Sequence, residues 1–368
     1  MKMSTRFLAI CISMITLYVT AAEGTKKPIV DADGTIHVPA FELPESSFLS
    51  DETRAALKFD RENRMKEYQA MDCPSFEGAD MDDMPAIRQC RADHFYTSSV
   101  YKNMTKRYDV KISTKIIAGV YTEIFTPAEG VKNTNLDKVL INLHGGGFVY
   151  GSRFYSHLES IPISAVGQIK VVSIDYRMAP EYQFPAASED VEEVYRELLK
   201  QYKPENIGVY GCSAGAILTA QSVAWFLDKG LPVPSAIGMF CMGAPIGEDF
   251  NSDGGIISAA LTGRNMVSWP KQSHYVKGTE YTDVLAYPGL SLKTLRQFPP
   301  SLLISATRDN ALSSVVSTHT KLRKLGVEAD LVIWEGLGHA FHFNSEFQES
   351  REAYNIIVDF FDKHLGQQ

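Results

Sequence analysis

The chain has 368 residues, 36 Lys and Arg against 44 Asp and Glu, and a formal charge of −8. Its hydrophobic share of 45% and charged share of 22% match the globular average and exclude a disordered or collagen-like chain. The acid excess argues against nonspecific nucleic-acid binding, because phosphates are met by Lys and Arg. Five cysteines are too few for a disulfide scaffold, and there is no repeat at solenoid or propeller periods.

Met1–Arg6 carries Lys2 and Arg6 and no acid; Phe7–Val19 is mostly apolar, and Thr20, Ala21 and Ala22 close the run. A basic start, an apolar core and small residues describe a signal peptide over residues 1–22, with cleavage expected after Ala22 and a secreted or periplasmic product. The alternative is a membrane tether through residues 7–19, but this run is short of the ~20 apolar residues of a spanning helix and holds Ser13 and Thr16. Cleavage removes two bases and no acid, so the charge moves from −8 to −10. Four cysteines then remain, Cys73, Cys90, Cys212 and Cys241, and they allow three pairings. Asn103-Met104-Thr105 is the sole glycosylation sequon, relevant in a eukaryotic host.

Residues 23–105 hold no convincing strand alternation. Ser50–Met71 reads as a helix with Asp51 and Glu52 at its start and Ala56, Phe59, Met65 and Tyr68 on one face; Cys73 and Pro74 end it. A second helix is expected over Ala86–Lys102. Cys73 and Cys90 flank the loop between the two and are candidates for a bridge, against the alternative of two separate thiols. From Val120 short β-rich runs take over: Val120–Phe125, Lys138–Leu143, Ile169–Ile174, Ile207–Tyr210, Ala236–Met242, Ser301–Ser305 and Leu331–Trp334. Helix-like stretches separate many of them, as where Val191, Val194, Tyr195, Leu198 and Leu199 repeat at helical spacing. Strands alternating with helices imply an α/β fold with a largely parallel sheet covered on both faces. A long Gly- and Ser-rich segment between Met242 and Ser301 interrupts the alternation, and a lid over a site is the usual reason for such a loop.

Three patterns carry chemistry. Gly211-Cys212-Ser213-Ala214-Gly215 follows an expected strand and opens the apolar helix Ala214–Leu227, the context of a nucleophile elbow that presents Ser213. His144-Gly145-Gly146-Gly147-Phe148 follows the strand Lys138–Leu143; a glycine run there offers backbone N–H groups to an oxyanion. A phosphate loop would need Gly-Lys-Ser/Thr where this chain has Phe148-Val149-Tyr150. His144 reads as a structural residue that orients the loop. Downstream, Asp309 follows Ser301–Ser305 and His339 follows Leu331–Glu335, completing the order Ser, Asp, His. Asp309 as a helix N-cap and His342 as the base stay open alternatives. The glycine-rich loop before His339 favours His339.

Together, His144–Gly147, Asp175-Tyr176-Arg177-Met178-Ala179-Pro180-Glu181, Phe184-Pro185-Ala186-Ala187, Gly211–Gly215, Asp309 with Leu312, and Gly338-His339-Ala340-Phe341 resemble the hormone-sensitive-lipase family of α/β-hydrolases, in the family's order from about Val120 onward. The resemblance implies a mostly parallel central sheet flanked by helices. It also implies a helical cap drawn from residues 23–105 and an insertion at about 246–298 of the catalytic domain 106–368. It implies Ser213, Asp309 and His339 as a triad, with oxyanion donors from Gly145, Gly146, Gly147 and Ala214. It further implies short acyl ester substrates and no metal or organic cofactor. The chain departs from the family at Cys212, where Asp is usual, and at Ala216, where a further glycine is usual. The elbow geometry presents Ser213 rather than Cys212 as the nucleophile. Cys212 and Cys241 end consecutive expected strands, so a second bridge is a further option. Phe148, Tyr150, Trp269 and Tyr275 are candidates for a pocket wall, although packing is the commoner role of aromatic residues. With an ordinary imidazole, activity is expected to rise near pH ~6–7. Two other readings remain open. One is an amidase or deacetylase of the same fold. The other is a non-catalytic small-molecule receptor, as in plant gibberellin receptors, whose catalytic histidine is lost; this chain keeps His339.

Overall fold

The computed structural model describes residues 28–70, 73–74, 83–250, 252–262 and 273–367. The expected signal peptide and Trp269 lie outside the described residues. Residues 28–45 belong to a separate small unit, in which β1 (Ile29–Val30) pairs antiparallel with β2 (Ile36–His37). The sequence reading expected no strand here; these two are two residues long and exposed, too short to show alternation.

The main unit is built on one eight-stranded sheet. Its strands are β3 (Val110–Ile117), β4 (Val120–Pro127), β5 (Val139–Leu143), β6 (Val171–Ile174), β7 (Ile207–Cys212), β8 (Ala236–Phe240), β9 (Ser301–Arg308) and β10 (Ala329–Gly338). The spatial order is β10-β9-β8-β7-β5-β6-β4-β3. The strands from β5 to β10 run parallel, while β3 and β4 form an antiparallel edge. Edge strand β3 was missed in the sequence. Its middle residues Ser113, Thr114, Lys115 and Ile116 are all exposed, so no buried face marks it.

The central strands read as continuous apolar runs because both of their faces are covered. Val139, Ile141, Leu143, Val209, Ile237 and Met239 enter one core layer with α5 (Ala186–Leu198) and α6 (Ala214–Asp228). The alternate residues Leu140, Tyr210, Cys212, Phe240 and Ile304 enter the other, with α4 (Tyr155–Gly167) and a long C-terminal helix over Gln348–His364. The period-2 alternation of side chains thus assigns Cys212 to the layer opposite α6.

The expected helix at 50–71 is α1 (Asp51–Ala70). Its Thr53 is buried and donates to the Glu349 carboxylate, which also accepts from the Ser50 N–H at 2.7 Å. Phe59, expected on the packed face, is 55% exposed. The expected single helix over 86–102 is two, α2 (Met84–Thr97) and α3 (Ser99–Arg107). Ser98 breaks them apart with extended backbone at ψ 157°, and its hydroxyl caps α3 by accepting from Tyr101 N at 3.2 Å. After β8 come α7 (Asp253–Thr262) and the short α8 (Leu292–Leu295), then α9 (Leu312–Lys324) between the last two strands, and α10 (Gln348–His364). Among the described residues no helix is long and apolar enough to cross a membrane.

Cys73 and Cys90 form a disulfide with 17 residues of separation. Cys212 and Cys241 are free and buried, so the optional second bridge is not made. Closing a loop of this length removes ~3 kcal/mol of unfolded-state entropy. Replacing both Cys73 and Cys90 by Ser is expected to lower stability by about 2–3 kcal/mol, read as a lower midpoint in thermal unfolding; an unchanged midpoint contradicts a stabilising role.

Candidate active site

Ser213 occupies the single residue between β7 and α6, with φ 59° and ψ −119°. A non-glycine residue there carries about 1–3 kcal/mol of strain and persists only where its surroundings force it. They do so here. Ser213 N donates to Phe240 O at 2.8 Å, while its own carbonyl accepts from Ala216 N and Ile217 N at 3.0 and 3.1 Å. On either side, a Cβ on Gly211 would lie 2.1 Å from Leu143 O, and one on Gly215 would lie 1.8 Å from the same atom. The turn therefore fits against the end of β5 only with glycine at both positions. Ala214 opens α6, so its N–H is among the first-turn donors that lack a helical partner.

The glycine loop lies directly against this turn. A Cβ on Gly145 would sit 2.9 Å from Cys212 O and 3.6 Å from Ser213 Cβ. Gly146 has φ +115°, and a Cβ there would be 2.0 Å from Tyr150 O, where a tight turn returns Val149 N and Tyr150 N to Gly146 O at 3.1 Å each. Gly147 also has positive φ, at 63°. His144 is buried and stacks on Tyr176 at 4.3 Å, and the Tyr176 hydroxyl donates to His144 O at 2.6 Å. Its Nδ1, 2.7 Å from Gly145 O, is assigned as the donor to that carbonyl. Burial holds its pKa down, so it stays neutral. These contacts agree with a loop-orienting residue.

Sequence reasoning missed a second support of the loop. Arg88 on α2 donates from Nε to Val149 O at 2.6 Å and from Nη2 to Ala179 O at 2.5 Å, and it pairs with Glu181 at 2.6 Å. Nothing local in the sequence signals a contact spanning 61 residues. Nearby, Arg177 binds Asp190 and Glu189 and donates to Ala186 O, all on the first turns of α5.

Asp309 and His339 come together across β9 and β10. His339 Nδ1 lies 2.7 Å from Asp309 Oδ1. Asp309 is fully buried; Ser305 Oγ donates to its Oδ2 at 2.8 Å and Ala311 N to its Oδ1 at 2.9 Å. Asp309 is not the helix N-cap that the sequence left open: Ala311 holds that position before α9, and the Asp309 carboxylate accepts from its N–H in the preceding turn. The His339 side chain keeps 32% exposure. Partial burial works against its charge, but the Asp309 carboxylate outweighs this and lifts its pKa from 6.5 to about 9. That differs from the ordinary imidazole assumed from sequence.

His342 does not meet Asp309. It is fully buried, with Nδ1 3.9 Å from Cys241 Sγ and Nε2 3.7 Å from Glu159 Oε1. Cys241 follows β8 at φ 56°, and its sulfur accepts from Ala340 N at 3.2 Å, one residue beyond His339. Burial opposes the Cys241 thiolate, yet hydrogen bonds from Cys212 and His342 hold its pKa down, at about 6. Of the proposed pocket aromatics, Phe148 and Tyr275 are buried and stack on each other at 4.1 Å, which makes them packing rather than an open wall. Tyr150 sits partly buried beside Tyr155 at 5.6 Å.

A parallel-rich sheet with helices on both sides and a serine on a strand-to-helix turn defines the α/β-hydrolase class. The profile of the family described as alpha/beta hydrolase fold matches residues 140–343, more than half of the chain, and the chain belongs to that family. An acetyl-hydrolase of Streptomyces hygroscopicus is 28% identical over 251 residues, covering 65% of this chain and 81% of its own. A crystallised esterase superposes with a TM-score of 0.74 at 28% identity, covering 89% of this chain and 98% of its own. An esterase from the bacterial hormone-sensitive lipase family shares the fold with a TM-score of 0.71 at 24% identity, over 86% of this chain and 99% of its own.

The glycine fits are testable apart from chemistry. Gly215→Ala and Gly211→Ala are each expected to cost about 3 kcal/mol or more, because the obstacle is backbone. Gly338→Ala, where a Cβ meets nothing within 4 Å, serves as the control and should stay within about 1 kcal/mol. Thermal unfolding of the three variants checks the order.

Proposed function

We propose that this chain is a serine carboxylesterase acting on small esters with short acyl chains, through Ser213, His339 and Asp309. The observation that carries the reading is the 2.7 Å pairing of His339 with a fully buried Asp309, on the same sheet end as the strained Ser213 turn. In this mechanism Ser213 Oγ attacks the ester carbonyl and His339 takes its proton. Asp309 fixes the imidazole tautomer and stabilises the imidazolium. The oxyanion is received by Ala214 N–H and the N–H groups of Gly145, Gly146 and Gly147. His339 then protonates the departing alcohol and activates the water that releases the acyl group. The resemblance to acyl-ester hydrolases and the retained, paired His339 support an enzyme rather than a receptor. Residues 23–105 and 246–298 would form the cap that sets substrate choice. Export with removal of residues 1–22 belongs to the same proposal. The Cys73–Cys90 disulfide supports it, since such bonds persist in oxidising compartments. A mature protein that keeps Met1, seen by mass spectrometry, would contradict it.

Ser213→Ala is expected to abolish p-nitrophenyl acetate hydrolysis and fluorophosphonate labelling, leaving about 10³-fold or more below wild type. Full residual activity would falsify the assignment of Ser213. An ester panel of increasing acyl length on wild type and Ser213→Ala should show activity falling with length in the wild type alone.

The base must be neutral to act, so kcat/KM should rise with pH. Its inflexion should be displaced upward from 6.5 toward about 9. In Asp309→Asn the attraction is gone and burial remains, so the inflexion should move down while the rate drops about 10³–10⁴-fold. An inflexion that stays put in this variant separates Asp309 from the titration.

A further inference from the structure

Beneath the His339 loop is a second cluster that ester hydrolysis does not use. Cys212 and Cys241 are free thiols with no exposure, at the ends of neighbouring parallel strands. His342 rises to them from the turn Phe341–Phe343, also with no exposure. Both sulfurs and a ring nitrogen of His342 lie within 4.8 Å of one another. The 3.9 Å from Cys241 Sγ to His342 Nδ1 is at the outer limit of a sulfur hydrogen bond. It is close to the span of about 3.6–3.8 Å between a thiolate and an imidazole that share one ion.

The far side of the imidazole gives an independent indication. A metal-bound histidine commonly offers its other ring nitrogen to a carboxylate that fixes its orientation. His342 Nε2 stands 3.7 Å from Glu159 Oε1, and neither atom has a hydrogen-bond partner although both are buried. The other oxygen of Glu159 is fixed, accepting from Asn142 Nδ2 at 2.8 Å, and Asn142 Oδ1 accepts from Ser173 Oγ at 2.8 Å. Such a carboxylate in a dry layer, aimed at an imidazole whose inner nitrogen faces two sulfurs, is more than a packed core requires.

We propose that Cys212, Cys241 and His342 form a binding site for one monovalent copper ion, with Glu159 as the outer carboxylate that orients the imidazole. The donor set selects the ion. Thiolates favour soft cations, and Cu(I) is among them. A structural zinc site needs four donors, while among the described residues this cluster supplies three. Asp309 and His339, the next candidates beside Cys241, are bound to each other. Binding forms two Cu–S bonds and one Cu–N bond and releases two protons, one from Cys212 and one shared between Cys241 and His342 Nδ1, with no change of oxidation state. The ion would sit one residue before Ser213 and against the sulfur that holds Ala340 N, so occupancy would perturb both ends of the catalytic line.

The test is an anaerobic titration of the full mature chain with Cu(I) buffered by bicinchoninate. Wild type is expected to withdraw one equivalent of copper from the chelator and to gain thermal stability. Cys212→Ala and Cys241→Ala should each lose that equivalent, and Glu159→Gln should bind about 10–100-fold more weakly. X-ray absorption of the wild-type complex, which requires no variant to fold, should show two sulfur neighbours and one nitrogen. The proposal is overturned by folded wild type that takes no copper, by a shell without sulfur, by equal uptake in the double alanine variant, or by loss of both thiols as a disulfide without bound copper. Tighter retention of Zn(II) than of Cu(I) overturns the choice of ion. None of these readouts depends on esterase activity, so the two proposals stand or fall separately.

Discussion

The carbonyl of Leu143 is crowded from two sides. Gly211 approaches it from the end of β7 and Gly215 from the first turn of α6, each so near that even a methyl group would collide. This contact locks the helix start onto the end of the neighbouring strand, and the chain between the two glycines has only one residue with which to turn. The positive φ of Ser213 follows from that closure. The glycine loop leaves β5 one residue beyond Leu143, so the same contact brings Gly145 against Cys212 O and Ser213. Strand, helix and loop thus share one steric limit, and the neighbouring strands then bring Asp309 and His339 to the same end of the sheet.

Much of this was legible in the sequence because the underlying rules are local. The parallel strands from β5 to β9 announce themselves as short apolar runs, since both faces are buried. Ser213, Gly145–Gly147, Asp309 and His339 were visible because each follows a strand end at a glycine-rich or acid-bearing turn. The choice between His339 and His342 was not local. Geometry separates the two, with Asp309 reaching His339 and Cys241 reaching His342. The upward shift of the His339 pKa was equally invisible, because it needs a carboxylate with no exposure 30 residues away.

What the sequence hid falls into two physical kinds. Edge strand β3 has an exposed middle, so no alternation betrays it. The break at Ser98 depends on one hydroxyl turning back to cap the following helix, a competition that propensity alone does not decide. The Arg88 contacts and the Cys212–Cys241–His342–Glu159 cluster are of the second kind. They join residues far apart in the chain, and each residue alone looks unremarkable. Cys212 and Cys241 stood out in the sequence as a departure at the elbow and an optional bridge, but their grouping with His342 and Glu159 did not.

Arg88 lies two residues before disulfide-bonded Cys90, on the helix that also grips the carbonyls of Val149 and Ala179. The glycine loop is therefore held from outside by a segment that precedes the whole sheet in the chain. A shortened form beginning after Arg107 would keep every strand of the eight and every residue of the Ser213 turn, yet it would lose this grip. Where such a form is made to start is thus a choice about the shape of the glycine loop, although the cut falls more than thirty residues upstream of it.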